Sequence, residues 1–125
     1  MLSQVVRNSL ISVVDDDSSM CRMLSRIISS AGLRVASFNS AEEFLASGKL
    51  NDSSCLILDV DLPGMSGIDL QRQLNDSGSD VPIIFISGKQ VGSTREHALS
   101  EGAVGFFHKP FSRETLLNAL RSAGA

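Results

Sequence analysis

The chain has 125 residues, 42% of them hydrophobic and 20% charged, with a formal net charge of -3. That length suits one domain with one real core, and the composition is that of an ordinary folded chain rather than a disordered or fibrous one. Basic and acidic residues are interspersed, so there is no basic face with which this chain itself would grip nucleic acid.

The first apolar run, Ser9–Val14, leads into Asp15, Asp16 and Asp17. Its core, Leu10–Val14, is far shorter than a membrane span or a signal segment, so a cytosolic, soluble protein with no membrane contact is expected. Met20, Leu24, Ile27, Ile28 and Ala31 then follow helical spacing, and Gly32 supplies a stop. A second run, Arg34–Phe38, precedes Ser40 and Glu43, which have the spacing of a capping box at a helix start. The third run, Cys55–Asp59, ends in an acid and continues as Val60-Asp61-Leu62-Pro63-Gly64; Ser66 with Asp69 predicts the next helix start. Pro82–Ile86 is the fourth run and is followed by Ser87 and Gly88. Gly92–Gly102 is weakly patterned, which predicts a short or mobile fourth helix. Val104–His108 is the fifth run, followed by Lys109-Pro110-Phe111, and Ser112 precedes a helix with Leu116, Leu117 and Leu120 on one face. The two cysteines, Cys21 and Cys55, sit in apolar stretches and read as buried thiols, not as a disulfide framework or a metal motif.

Runs that are nearly continuous in apolar residues are expected of strands covered on both faces. Alternation with helices, five times over, predicts an α/β fold with a parallel sheet and right-handed crossovers. In open sheets of this kind the ligand site lies beyond the carboxyl ends of the strands. Asp15, Asp16, Asp59, Ser87 and Lys109 all fall there.

Clustered carboxylates repel one another and raise each other's pKa, and a hard cation such as Mg²⁺ relieves this with only one or two direct carboxylates plus waters. Taken alone, Asp15 and Asp16 read equally well as metal ligands or as a solvated loop, whereas Asp17 reads as a helix cap. Adding Asp59, Ser87 and Lys109 tips the set toward phosphoryl transfer. A carboxylate can attack a phosphoryl group, and an ammonium and a hydroxyl can hold its oxygens.

Val-Val-Asp-Asp-Asp, Leu-Asp-Val-Asp-Leu-Pro-Gly-Met-Ser-Gly, Ile-Ser-Gly and His-Lys-Pro-Phe, in this order, resemble the receiver domain of two-component response regulators. The resemblance covers Ser9 to Ala123 and lies nearest the nitrogen-fixation and nodulation type. It implies a single receiver domain over residues 1–125 with a core at 9–123. The implied fold is flavodoxin-like, doubly wound (βα)5, with strand order 2-1-3-4-5, an order that receivers share with flavodoxin. It makes Asp59 the phosphoacceptor, Asp16 a direct Mg²⁺ ligand, Asp15 a ligand mainly through water, and the Asp61 backbone carbonyl a further ligand. Ser87 and Lys109 would contact the phosphoryl group, Ser87 and Phe106 would form the switch pair, and the Lys109–Pro110 bond would be cis.

The resemblance further implies a sensor histidine kinase or phosphotransfer protein as donor. It also implies a fused or separate output domain, helix-turn-helix being one type, and a phosphorylation-dependent homodimer. Two features depart from the usual pattern: the switch aromatic is Phe106 rather than Tyr, and Gly-Lys-Gln-Val-Gly-Ser-Thr follows Ser87. Asp61 and Lys89, on adjacent strand-end loops, are expected to flank the site and to be able to pair across its mouth. A haloacid-dehalogenase-type phosphatase is suggested by Asp59-Val60-Asp61, but Leu62-Pro63 follows and the acidic pair lies upstream of the nucleophile. A pseudo-receiver would lack part of the constellation, and this chain lacks none. Nucleotide binding fails for want of a Gly-rich loop after the first strand.

Overall fold

The computed structural model describes residues 9–89 and 92–124. Five parallel strands form one sheet: β1 (Leu10–Val14), β2 (Arg34–Phe38), β3 (Ser53–Asp59), β4 (Ile83–Ser87) and β5 (Gly105–His108), in the order 2-1-3-4-5. The helices are α1 (Ser18–Ser30), α2 (Ala41–Ser47), α3 (Gly67–Asp76), α4 (Gly92–Ser100) and α5 (Arg113–Ser122). The expected flavodoxin-like doubly wound fold is therefore observed. Strand bounds shift slightly: β3 begins two residues before Cys55, and β4 includes Ser87. α4 is short, at nine residues, and within it only Ala98 is buried.

Each apolar run serves two cores at once because successive strand residues face opposite ways. Val14, Leu56, Leu58, Ile83 and Phe85 pack with Phe44 of α2, Leu70 and Leu74 of α3 and Ala98 of α4. Ile11, Val13, Cys55, Ile57, Ile84 and Ile86 pack on the other face with Leu24 and Ile28 of α1 and Leu116 and Leu120 of α5. Both cysteines are free and buried. Burial pushes the Cys55 thiol up to about 12, so it is unreactive.

Local chemistry sets the helix ends. Asp17 caps α1, its Oδ1 accepting from the Ser19 amide at 2.9 Å and the Met20 amide at 3.4 Å. Gly32, at φ 82°, follows the end of α1 as expected of a stop residue. Ser66 and Asp69 form a full capping box on α3. At α2 only half of the box forms: Ser40 Oγ accepts the Glu43 amide at 3.0 Å, but the Glu43 carboxylate accepts from the Asn39 amide at 3.4 Å instead of from the cap. The Lys109–Pro110 bond is cis, as expected.

Among the described residues no helix is long and apolar enough to cross a membrane.

Candidate functional site

Register places the site. Val14 of β1 lies opposite Leu58 of β3, so Asp15 and Asp59, each the next residue, emerge side by side. Asp59 is opposite Ile86, one residue short of Ser87, and Ser87 is opposite His108, one short of Lys109. This stepped register brings four side chains of three chemical kinds to one edge of the sheet, where the strand order reverses between β1 and β3.

Alternation then decides which of them touch. Asp15 and Asp59 follow Val13 and Ile57 at a spacing of two, and Lys109 follows Phe107 likewise. All three point toward the α1–α5 side, where those apolar residues pack. The Lys109 ammonium lies 3.0 Å from Asp15 Oδ2 and 3.6 Å from Asp59 Oδ2. Ser87 and Phe106 share the opposite parity, with Phe85. Ser87 Oγ donates to the Lys89 carbonyl at 2.9 Å and accepts from the Lys89 amide at 3.1 Å, while the Phe106 ring lies half-buried, 6.0 Å from the ring of Phe85. The acids and the lysine are thus already assembled, and the hydroxyl and the aromatic stand apart from them.

Asp15 is wholly buried and Asp59 is 4% exposed, whereas Asp16 is exposed. One carboxylate oxygen from each of these three lies within 4.8 Å of the others. Hard, anionic oxygens at this spacing suit a divalent cation such as Mg²⁺. The electrostatics record the crowding. Burial pushes the Asp59 carboxyl up to about 6; the Asp61 amide, donating to Oδ1 at 3.1 Å, opposes this, the Asp15 carboxylate adds to it, and the Lys109 ammonium opposes it. Burial alone would lower the Lys109 pKa, but its bonds to Asp15 and Asp59 outweigh that and raise it. Lys109 is therefore a fixed positive charge beside two acids that water scarcely reaches.

Asp61 is exposed on the loop after β3, and its amide is tied to Asp59. Lys89 is also exposed, and among the described residues no ion pair joins it to Asp61. Of the two readings open for Asp61 and Lys89, the unpaired one is found: the Lys89 backbone is engaged with Ser87, and opposite charges on two solvated loops gain little from pairing. Gln90 and Val91, within the unusual stretch after Ser87, lie outside the described residues.

Three supporting residues have no role assigned to them from the sequence, although Gly67 closes the Leu58–Gly67 motif. Gly67 opens α3 so close to the end of β3 that a Cβ there would lie 2.3 Å from the Asp59 carbonyl oxygen. Its signal was a glycine at a first helical position. Glu42, on α2, accepts the Met65 amide at 3.0 Å. The buried Gln71 of α3 donates to the Ala98 carbonyl of α4 at 2.9 Å. Neither of the last two has a local sequence signature.

Comparison with known proteins agrees with this geometry. The family model for the response regulator receiver domain matches residues 11–121. The response regulator protein TodT of Pseudomonas putida is 47% identical over 117 residues, covering 94% of this chain and 52% of that protein. Nodulation protein W of Bradyrhizobium diazoefficiens is 44% identical over 115 residues, covering 92% of this chain and 51% of that protein. The solved structure of the response regulator StyR superposes with a TM-score of 0.85 at 38% identity, covering 93% of this chain and 59% of that one. The chain thus spans about half the length of the curated relatives it matches. With the sheet order, the strand-end acids and this match over nearly the whole chain in agreement, the chain belongs to the response regulator receiver domain family.

Proposed function

We propose that this receiver is a phosphorylation-dependent switch, occupying residues 9–123, that accepts a phosphoryl group on Asp59 in a Mg²⁺-dependent reaction. One observation carries the reading. A lysine ammonium sits within 3.6 Å of two carboxylates that are almost without solvent, beside a third acid able to share a cation with them. A salt bridge kept only for stability has no need of the third acid, and burying like charges together is costly. Phosphoryl transfer needs this set because its catalysis is positioning and charge neutralisation.

Asp59 supplies the nucleophilic oxygen. It attacks phosphorus on a phosphohistidine of a sensor kinase or phosphotransfer protein; the P–N bond breaks with its electron pair returning to the ring, the imidazole, protonated beforehand on its other nitrogen, leaves neutral, and an acyl phosphate remains on Asp59. Asp16, Asp59 and the Asp61 carbonyl would hold Mg²⁺, with Asp15 acting mainly through water. The cation supplies charge neutralisation for the carboxylates and the phosphoryl oxygens. Lys109 then binds one phosphoryl oxygen. Ser87 exchanges its bonds to Lys89 for another, and Phe106 follows it inward. Those charge-assisted bonds exist only in the phosphorylated form, and such a difference is what shifts a two-state equilibrium in the region of α4, β5 and α5. The self-catalysed uptake and loss of the group make this a switch, not a turnover enzyme. Homology to regulators about twice its length supports coupling to an output module, fused or separate, with a helix-turn-helix as one form. A cytoplasmic location and phosphorylation-dependent pairing of two copies belong to the same reading.

Intact mass after treatment with acetyl phosphate and Mg²⁺ tests this. A gain of one phosphoryl, lost in Asp59→Asn and abolished by chelating the metal, is the expected result. Release of inorganic phosphate with no accumulated adduct would mean a phosphatase of the haloacid-dehalogenase type. Neither uptake nor release would mean a pseudo-receiver.

A further inference from the structure

The loop from Val60 to Ser66 carries Asp61, and hydrogen bonds hold both of its ends. Its start is held by the Val60 amide on the Ile86 carbonyl at 3.0 Å and by the Asp61 amide on Asp59 Oδ1 at 3.1 Å, and its end by the Gly67 amide on the Val60 carbonyl at 3.1 Å and the capping box of Ser66 and Asp69. The Asp61 bond is made to the carboxylate that the proposed reaction engages. Between Asp61 and Ser66, one bond among the described residues comes from outside the loop. Glu42, in the first turn of α2, accepts the Met65 amide with Oε2 at 3.0 Å. The same oxygen lies against Gly64, whose φ of 72° is left-handed and where a Cβ would sit 2.8 Å from it. Glycine here thus both makes the turn and admits the carboxylate.

We infer that Glu42 is a positioning residue for the phosphorylation site: it clamps the β3–α3 loop from α2, holding the backbone of Asp61 in place while Asp59 is engaged. The inference rests on the receiver reading above and adds to it a residue outside the strand-end constellation. Glu42 is exposed, and the Met65 amide keeps its carboxyl below the ordinary range, so at neutral pH it is a charged, strong acceptor. α2 is anchored in turn by Ala41 and Phe44 in the core, which gives the clamp a rigid base. A surface carboxylate with no such role would point to water or pair with a neighbour on its own helix.

The test compares Glu42→Ala, which removes the acceptor, with Glu42→Gln, which keeps an acceptor and removes the charge. Without metal, residue-resolved hydrogen exchange should show the Met65 amide exchanging about tenfold faster in the Ala variant and near the wild-type rate in the Gln variant. Calorimetric Mg²⁺ affinity and the rate of acetyl phosphate uptake should each fall about tenfold in the Ala variant and recover in the Gln variant, the lower end of what residues that orient metal ligands contribute. Equal losses in both variants would assign the effect to long-range charge and overturn the clamp. So would an Ala variant indistinguishable from wild type in exchange and affinity. Wild-type protein that binds no Mg²⁺ and takes up no phosphoryl would instead remove the receiver reading, and the inference with it.

Discussion

Replacing Asp59 by asparagine should make the domain more stable at neutral pH while removing its proposed chemistry. Burial and the Asp15 carboxylate hold the Asp59 carboxyl at about 6 against an ordinary value of 3.8. Between those values the folded chain binds more protons than the unfolded chain, so this group's contribution to stability falls as pH rises through that window. Above it the full cost is present, and below it none. A shift of about two units at 1.36 kcal/mol each sets an upper bound near 3 kcal/mol. Asparagine keeps the acceptor for the Asp61 amide and can donate to Asp15, while Lys109 retains its 3.0 Å partner. A gain of about 1–3 kcal/mol at pH 7.5 is therefore expected once some of the shift is assigned to Asp15 and Lys109 as a group. The chain has neither Trp nor Tyr, so urea unfolding is followed by far-UV circular dichroism at several pH values. The difference between variant and wild type should shrink toward zero as pH falls to 4. An Asn variant no more stable than wild type at pH 7.5, or a gain independent of pH, would refute the electrostatic account of the site.

Two other perturbations separate neighbours that look alike in sequence. Asp16→Ala should weaken Mg²⁺ binding about tenfold or more, about 1.4 kcal/mol. Asp17→Ala should leave affinity nearly unchanged but cost about 1 kcal/mol of stability through the lost cap on α1. Calorimetry and urea unfolding on both variants check this, and equal losses of affinity would contradict the assignment of Asp17 as a cap. Gly67→Ala should destabilise by about 3 kcal/mol, because the new Cβ meets backbone and not a movable side chain. The same unfolding assay reads it, and a cost under about 0.5 kcal/mol, as for an ordinary surface change, would show that the close approach of α3 to β3 is not required.

Much of this protein is legible in one dimension because its signals are local. A parallel strand buried on both faces must be an apolar run, and a helix start needs a capping side chain, so Ile83-Ile84-Phe85-Ile86 and the Ser66–Asp69 box announce themselves. Given the alternation of strands and helices, the carboxyl-end rule gathers Asp15, Asp16, Asp59, Ser87 and Lys109 before any coordinate is known. The tertiary structure decides what these residues do with one another. Lys109 lies nearer Asp15 than Asp59, and Ser87 is turned to its own loop, because strand parity and a one-residue stagger between neighbours fix those directions. The Glu42 bond to the Met65 amide and the Gln71 bond to α4 are likewise tertiary facts. Glu42 and Met65 are 23 residues apart, and Gln71 and Ala98 are 27 apart. Side chains that close such distances meet only after the helices have packed on the sheet, so no period or motif along the chain can encode the pairing.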